Sequence, residues 1–116
     1  MRACVGTYIR SGRSEGIYVF DWDESTGALA QVTSAAESDP SFLCFDPGAQ
    51  FLFAVSEGDG LDGGEAASFR HDSASGILTP LSRQKTGGGQ PCHLTTDLSG
   101  RWLIVVPEYV SQFCGS

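Results

Sequence analysis

The sequence predicts an all-β chain, and three observations lead to that prediction. Glycine occurs 15 times and proline five times in 116 residues, whereas long helix-forming side chains are scarce, so the composition favours strands and turns. No window repeats apolar residues at i, i+3, i+4 and i+7 for long enough to form a helix. Short apolar segments bounded by turn residues instead recur at a fixed spacing.

The chain contains an internal repeat of about 50 residues. Residues 40–57 match 91–108 at an offset of 51 and share a proline, a leucine, an aspartate and the final glutamate. Residues 20–29 match 69–78 at an offset of 49 and share a phenylalanine, an aspartate, a glycine and a leucine. A repeat of this length is typical of β-propeller blades, which are four-stranded sheets packed side by side around an axis.

The first two strands of each unit are short and apolar. Turns rich in aspartate, proline and glycine separate them, because these residues adopt turn conformations readily. The second strand is apolar without alternation, which predicts that neighbouring sheets cover both of its faces. The first strands are predicted at 42–45 and 93–96, and the second strands at 51–55 and 102–106.

The third and fourth strands of each unit form a hairpin. Gly27 or Gly76 lies in the connection, where a glycine favours a tight turn. The opening residues 5–8 match the end of the second strand of the later units, so the end of one unit occurs three times. The third strands are predicted at 17–20 and 66–69, and the fourth at 29–32 and 77–81.

Charge and targeting signals limit the partners and the compartment. The net charge is −7, and the basic residues are scattered from Arg2 to Arg101, so nucleic acid and anionic membranes are not expected partners. The start contains no apolar segment long enough for a signal peptide, and no segment approaches the length of a membrane span. Cys4, Cys44, Cys92 and Cys114 lack metal-knuckle spacing, so we expect free thiols in the cytoplasm.

Several segments together identify a family. The opening Val5-Gly6-Thr7-Tyr8, the strand 16–20, the turn 26–29 and the segment Gly87-Gly88-Gly89-Gln90-Pro91-Cys92-His93-Leu94 resemble the seven-bladed lactonase family of β-propellers, which includes bacterial 6-phosphogluconolactonases. The resemblance covers residues 4–109, and the 87–94 segment is its most specific part.

The resemblance implies a partial β-propeller. Seven blades of about 50 residues need about 350 residues, so residues 1–116 correspond to the N-terminal portion of such a ring, with two four-stranded antiparallel blades and an incomplete third. The residues after Tyr109 do not continue into a third strand of the family type. Blade faces without a neighbour would remain uncovered, which predicts self-association of the chain.

Candidate functional residues lie where first strands begin and second strands end, because these positions share one rim of a propeller. Hydrolysis of a sugar lactone needs a base that activates water and groups that hold the oxyanion and any phosphate. His93 is the candidate base and Glu108 the residue that orients it. The candidate substrate-binding residues are Arg10, for a phosphate, together with Ser41, Glu57 and Tyr109.

Each candidate also has a structural interpretation. His93 could serve only as a hydrogen-bonding residue, since its repeat partner is Phe42, and recurrence of Glu57 and Glu108 could reflect a shared structural bond. The acidic loop 57–65 contains oxygen ligands of the kind that bind calcium, but it matches no complete calcium-loop pattern, so no metal site is predicted. Asp23, Asp46, Asp72 and Asp97 occupy equivalent turns and are expected to bond local backbone amides.

The sequence leaves three functional interpretations open. The first is a sugar-lactone hydrolase that acts on 6-phosphogluconolactone without a cofactor and is inactive as this segment alone. The second is a non-catalytic truncated propeller or a module that binds a partner on its rim. The third is an independent β-sandwich, which suits the length but not the repeat.

Overall fold

All secondary structure in the described part of the chain is β-strand. The computed structural model describes residues 1–8, 15–56, 63–86 and 88–110, and for 88–92 and 106–110 it describes the backbone alone. No helix occurs among these residues, so none of them belongs to a helix that could cross a membrane. The strands are β1 (Arg2–Gly6), β2 (Gly16–Trp22), β3 (Leu29–Ala36), β4 (Pro40–Phe45), β5 (Phe51–Ser56), β6 (Glu65–His71), β7 (Leu78–Lys85), β8 (Gly88–Thr96) and β9 (Leu103–Val110).

The strands form three antiparallel sheets, which confirms the prediction of an all-β partial propeller. Sheet 1 has the order β1-β2-β3, sheet 2 the order β4-β5-β6-β7 and sheet 3 the order β8-β9. Only sheet 2 has four strands within the described residues, whereas two such sheets were expected. The reason is the phase of the repeat: β1 is equivalent to β5 and β9, so among the described residues sheet 1 contains no counterpart of β4 and β8, the innermost strands of the other two sheets.

Strand irregularities repeat together with the sequence. A bulge lies between Pro40 and Phe42 in β4, and another lies 51 residues later, between Pro91 and His93 in β8. The β2–β3 and β6–β7 pairings shift register at Val19/Phe20 and at Ser68/Phe69, which are equivalent positions at the offset of 49. A bulge redirects every side chain beyond it, so its recurrence shows that the units share backbone geometry as well as sequence.

The sheets have an upper and a lower edge. Odd-numbered strands end and even-numbered strands begin at the upper edge, and the turns within the hairpins β2–β3, β4–β5, β6–β7 and β8–β9 lie at the lower edge. At these turns the expected aspartate bonds are present: Asp46 Oδ1 accepts from the amides of Gln50 and Phe51, each at 2.8 Å. The equivalent Asp97 accepts from the amides of Arg101 and Trp102.

Three turn aspartates are stabilised as carboxylates. Hydrogen bonds lower the pKa of each below its ordinary value, and the largest cause is the Ser25 hydroxyl for Asp23, the Ser75 amide for Asp72 and the Ser99 hydroxyl for Asp97. A carboxyl group with a lowered pKa in the folded state contributes stability above its unfolded-state pKa, and the contribution is lost as pH falls through the folded-state value.

We therefore expect the free energy of unfolding to decline below about pH 4, the ordinary carboxyl range, with these three aspartates contributing to the slope. Urea unfolding of the chain at a series of pH values measures that slope. The triple variant Asp23→Asn, Asp72→Asn, Asp97→Asn retains one acceptor oxygen at each site but cannot titrate, so its decline should be shallower. An equally steep decline in the variant would show that these three aspartates do not contribute to the pH dependence of stability.

The core lies between sheets 1 and 2. Ile17 and Val19 of β2 are fully buried against Leu52, Ala54 and Phe69 of sheet 2, none of which is more than 1% exposed. Burial of a valine, isoleucine, leucine or phenylalanine side chain stabilises the fold by about 1.5–3 kcal/mol relative to its exposure to water. The prediction that second strands are covered on both faces is confirmed for β5, since Leu52, Ala54 and Val55 are all buried, but not for β9, where Ile104 is 54% exposed.

Two cysteines lie in the fully described residues, and both are free thiols. Cys4 packs against the core, where burial raises the pKa of its thiol to about 11 even though Arg2 opposes the shift. Cys4 is therefore protonated and unreactive at neutral pH. Cys44 lies on β4, partly buried. The side chains of Cys92 and Cys114 lie outside the described residues.

Candidate functional site

Ser41 lies at the upper edge, as predicted. It is the second residue of β4, at the bulge, and its hydroxyl lies 3.5 Å from the Val55 carbonyl oxygen, to which it donates. The residue also lines a groove of about 320 Å³ between β1 and β4. Ser41 therefore occupies the inner end of sheet 2, where a ligand near the propeller axis would be within reach.

His93 lies deeper in its strand than the sequence indicated. β8 begins at Gly88, so His93 is not at the start of the strand, because pairing with β9 continues past Pro91 as far as Gly88 opposite Val110. The side chain is exposed, and its ring centroid lies 4.5 Å from that of Phe42, its repeat partner on β4. The two innermost strands therefore bring these equivalent rings together, and the imidazole is accessible to solvent.

Of the other four candidates, the structure places two by their backbone and leaves two outside the described residues. Glu108 and Tyr109 lie on β9, near the upper edge, where the backbone alone is described. His93 pairs with Val106, so the backbone of Glu108 lies two residues, or about 7 Å along the strand, beyond the residue opposite His93. Arg10 and Glu57 lie outside the described residues, and their roles stay predictions.

The upper edge also contains a charged cleft of about 430 Å³ between sheets 1 and 2. Glu37, in the connection between β3 and β4, has a side chain only 1% exposed. Arg83 on β7 forms two parallel bonds to it, Nη1 to Oε1 at 2.8 Å and Nη2 to Oε2 at 3.0 Å. Such a forked pair fixes the relative position of its two groups, so the connection is held against the outer strand of sheet 2.

A second carboxylate shares the same guanidinium. Arg83 Nη1 also lies 3.2 Å from Glu65 Oε2, and hydrogen bonding to Glu37 is the main reason that the pKa of Arg83 is raised above its usual value. Glu15 lines the cleft as well, and it accepts a hydrogen bond from the Ser34 hydroxyl. The described cleft thus holds more carboxylates than cations, so it favours a ligand rich in hydroxyl groups over a phosphate.

Ser56 adds a polar atom to the wall of this cleft. The residue is 4% exposed, and its hydroxyl oxygen has no hydrogen-bond partner among the described residues. A buried hydroxyl without a partner costs free energy. Ser56 is therefore a position at which a ligand hydroxyl would be stabilised if it entered the cleft.

Sequence reasoning did not identify Glu37 or Arg83, and it considered Glu65 only as part of the acidic loop 57–65. At the offset of 49, Glu37 corresponds to Thr86 and Arg83 to Ser34, so both charges depart from the repeat. The backbone hydrogen bonds at these positions follow the repeat. The Glu37 amide donates to the Glu15 carbonyl oxygen, and the equivalent Thr86 amide donates to the Gly64 carbonyl oxygen. Both residues could have been found in the sequence, because each is charged where the equivalent residue of the other unit is neutral.

Within the described residues, no group of three or more histidine, cysteine, aspartate or glutamate side chains is arranged to hold a metal ion. Most of the acidic loop that raised the question of calcium, residues 57–62, lies outside the described residues.

Comparison with known proteins gives matches over nearly the whole chain. The family model described as lactonase, 7-bladed beta-propeller, matches residues 2–112. A 6-phosphogluconolactonase of Formosa agariphila is 35% identical over 103 residues, which is 87% of this chain and 29% of that protein. A 6-phosphogluconolactonase of Bacillus subtilis is 34% identical over 101 residues, which is 86% of this chain and 28% of that protein.

A solved structure agrees with these sequence matches. The periplasmic gluconolactonase of Pseudomonas aeruginosa is 36% identical and superposes with a TM-score of 0.77, covering 88% of this chain and 29% of that one. The chain therefore spans less than a third of the length of the relatives that it matches.

Proposed function

Because the chain belongs to the lactonase family of seven-bladed β-propellers, we propose that it forms the N-terminal blades of a sugar-lactone hydrolase whose substrate is 6-phosphogluconolactone. The observation that carries the proposal is the match over residues 2–112, together with identities of 34–35% to two proteins named 6-phosphogluconolactonase. The free thiols of Cys4 and Cys44 are compatible with a cytoplasmic location, although one relative is periplasmic.

The proposed reaction needs no group beyond water and side chains. His93 takes a proton from water as the water oxygen adds to the lactone carbonyl carbon, the ring C–O bond breaks, and the released ring oxygen takes up a proton. The exposed ring of His93 on β8 supports this role, since a base must reach the water that it activates. Glu108 would orient the imidazole, and Arg10 would hold the phosphate.

The carboxylates of the upper cleft support separate binding positions for the sugar hydroxyls and for the phosphate of the substrate. Glu37 and Glu65 are paired with Arg83, so this part of the edge would accept hydrogen bonds from sugar hydroxyls. The phosphate would then bind away from these carboxylates, at Arg10 and at residues of the other blades. Ser41, Glu57 and Tyr109 would complete the contacts to the sugar.

The chain by itself is proposed to be non-catalytic, which is the second candidate function. Its sheets correspond to 28–29% of the relatives' length, so most of a ring-shaped site would come from other blades. In a lactone hydrolysis assay the purified chain should therefore match the spontaneous rate.

The activity itself is tested in a chimera. This chain replaces the matching segment of the Bacillus subtilis 6-phosphogluconolactonase, which restores a complete set of blades. The chimera should hydrolyse 6-phosphogluconolactone above the spontaneous rate, and His93→Ala should reduce kcat about 100-fold or more, the usual contribution of a general base. Thr95→Ala, two residues along the same strand and also exposed, is the matched control and should retain activity.

Two results would contradict the proposal. One is a chimera with the melting temperature and circular dichroism of a folded propeller but no excess hydrolysis. The other is an active chimera in which His93→Ala changes kcat no more than Thr95→Ala does, which would remove His93 from the reaction and retain the family activity.

A further inference from the structure

Three polar side chains of the upper cleft lie on the same face of sheet 2. Ala54 of β5 packs in the core between sheets 1 and 2, and alternation along the strand places Ser56 on the same face. Ser56 pairs with Glu65 on β6, and residues directly opposite on paired strands share a face. Arg83 lies on that face too, because it pairs with Ala67, which pairs with Ala54. All three side chains therefore point toward sheet 1, which forms the other wall of the cleft.

Five of the polar residues that line the cleft depart from the repeat. At an equivalent position of another unit the residue is either a glycine or a neutral hydroxyl residue. The equivalent pairs are Glu15 and Gly64, Glu37 and Thr86, Ser56 and Gly6, Glu65 and Gly16, and Arg83 and Ser34. The shared blade structure does not require these side chains, so their convergence in one cleft indicates a function of this cleft alone.

The Ser56 hydroxyl differs from the other members of this set, because no hydrogen bond within the described residues uses it. The residue is only 4% exposed, and the hydroxyl oxygen has no partner there. The charged residues of the cleft, in contrast, bond to one another or to a neighbouring hydroxyl. A buried hydroxyl without a partner lowers the stability of the unliganded protein, and a ligand that bonds to it removes that cost.

The groups around Ser56 define the chemistry of such a ligand. Ionised carboxylates only accept hydrogen bonds, so Glu15 and Glu65 favour a ligand that donates. Neighbouring hydroxyls of a sugar both donate and accept, so one can bond to Ser56 while the next donates to Glu65, which lies directly opposite on β6. A phosphate dianion has no proton to donate and is repelled by the excess of carboxylates. The volume of about 430 Å³ is within the range of small-molecule pockets.

We propose that Ser56 determines substrate specificity: its hydroxyl bonds to a ring hydroxyl of the sugar lactone, beside a second hydroxyl that donates to Glu65. The inference rests on the proposed function, because it takes the ligand of the cleft to be the sugar part of the substrate. The part of the substrate that the cleft holds then carries uncharged hydroxyl groups. A lactone with an anionic group at that position binds more weakly.

Binding to the 116-residue chain tests the site without catalysis. The probe is 1,5-anhydroglucitol, a neutral pyranose that does not hydrolyse, and inorganic phosphate is the anionic comparison. The probe should shift the amide resonances of Ser56, Glu65 and Arg83 in nuclear magnetic resonance spectra, and phosphate should not. Ser56→Ala should weaken probe binding about 3- to 10-fold, the usual contribution of one hydrogen bond.

Stability distinguishes a ligand-binding hydroxyl from a structural one. Ser56→Ala removes a group that has no partner and leaves no other group unpaired, so the unliganded variant should be at least as stable in urea as wild type. Loss of a structural hydroxyl would lower stability instead. Ser73→Ala, at an exposed serine of the lower edge, is the matched control and should change neither probe binding nor stability.

The Bacillus subtilis chimera separates this inference from the proposed reaction. In the active chimera Ser56→Ala should raise KM for 6-phosphogluconolactone about 3- to 10-fold and change kcat less than about twofold, since the bond forms in the ground state and the transition state alike. A folded but inactive chimera, with probe binding that still depends on Ser56, would contradict the reaction and support the sugar site. An active chimera whose KM does not change in Ser56→Ala would overturn the inference and retain the reaction. Wild-type chain that does not bind the probe, or a Ser56→Ala variant that binds it equally well or is less stable than wild type, would also overturn the inference.

Discussion

Substitution of Gly16 by alanine should cost about 3–5 kcal/mol of the free energy of unfolding, a large part of the 5–15 kcal/mol typical of a domain. Gly16 begins β2 with a φ of 118°, a conformation that L-residues rarely adopt. A Cβ there would lie 2.2 Å from the carbonyl oxygen of Glu37 and 2.7 Å from its amide nitrogen. Both contacts are with backbone, so no side-chain rotation could relieve them.

The damage would extend beyond Gly16 itself. The Gly16 carbonyl oxygen accepts hydrogen bonds from the amide and the hydroxyl of Thr7, at 2.7 and 2.8 Å, and the Glu37 amide donates to the Glu15 carbonyl oxygen at 3.1 Å. Displacement of Glu37 would also strain its pair with Arg83. Urea unfolding followed by circular dichroism measures the loss, and Gly48→Ala is the control.

Gly48 lies in the β4–β5 turn, where the nearest atom to a new Cβ would be 3.7 Å away. We expect Gly48→Ala to change stability by less than about 1 kcal/mol. Equal stabilities for the two alanine variants would show that the backbone of Gly16 does not lie against the backbone of Glu37.

Removal of the Arg83 guanidinium should have the second largest effect. Arg83→Gln leaves the Glu37 carboxylate, 1% exposed, without its cation, and an unpaired buried charge of this kind costs about 3–5 kcal/mol when it is fully enclosed. Because Arg83 itself is 47% exposed, water would reach part of the site, so we expect about 2–3 kcal/mol.

A double-mutant cycle separates the pair from its surroundings. Glu37→Gln in the Arg83→Gln background removes the uncompensated charge, so the double variant should be more stable than the Arg83→Gln single variant. Arg101→Gln, at an exposed turn arginine, is the matched control and should change stability by no more than about 0.5 kcal/mol. Additive costs in the cycle would mean that the forked pair contributes nothing to stability.

Much of the fold could be predicted because the same pattern of strands and turns occurs more than once in the sequence. The turn at Asp46 and the turn at Asp97 use the same carboxylate-to-amide bonds, and both are visible in the sequence as equivalent aspartates. The strand bounds were predicted shorter than observed, since β8 extends from the expected 93–96 back to Gly88. Pairing with β9 extends β8 to Gly88, and the sequence of β8 alone does not show how far that pairing continues.

The candidate site was less predictable for the opposite reason. Glu37 and Arg83 occur once, lie 46 residues apart and meet only because β7 belongs to the sheet that follows the β3–β4 connection. Repetition identifies shared structure, whereas function in a propeller depends on residues that differ between blades. Such a difference made His93 recognisable in the sequence, because the equivalent residue of the preceding unit is Phe42.

Side-by-side packing of repeated sheets is the claim on which the proposed site and the proposed activity depend. Nuclear Overhauser spectroscopy of the methyl-labelled chain tests it most directly. We predict strong contacts between the methyl groups of Ile17 and Val19 and those of Leu52 and Ala54, across the interface of sheets 1 and 2. Contacts confined to residues within each sheet, with none between β2 and β5, would contradict the account.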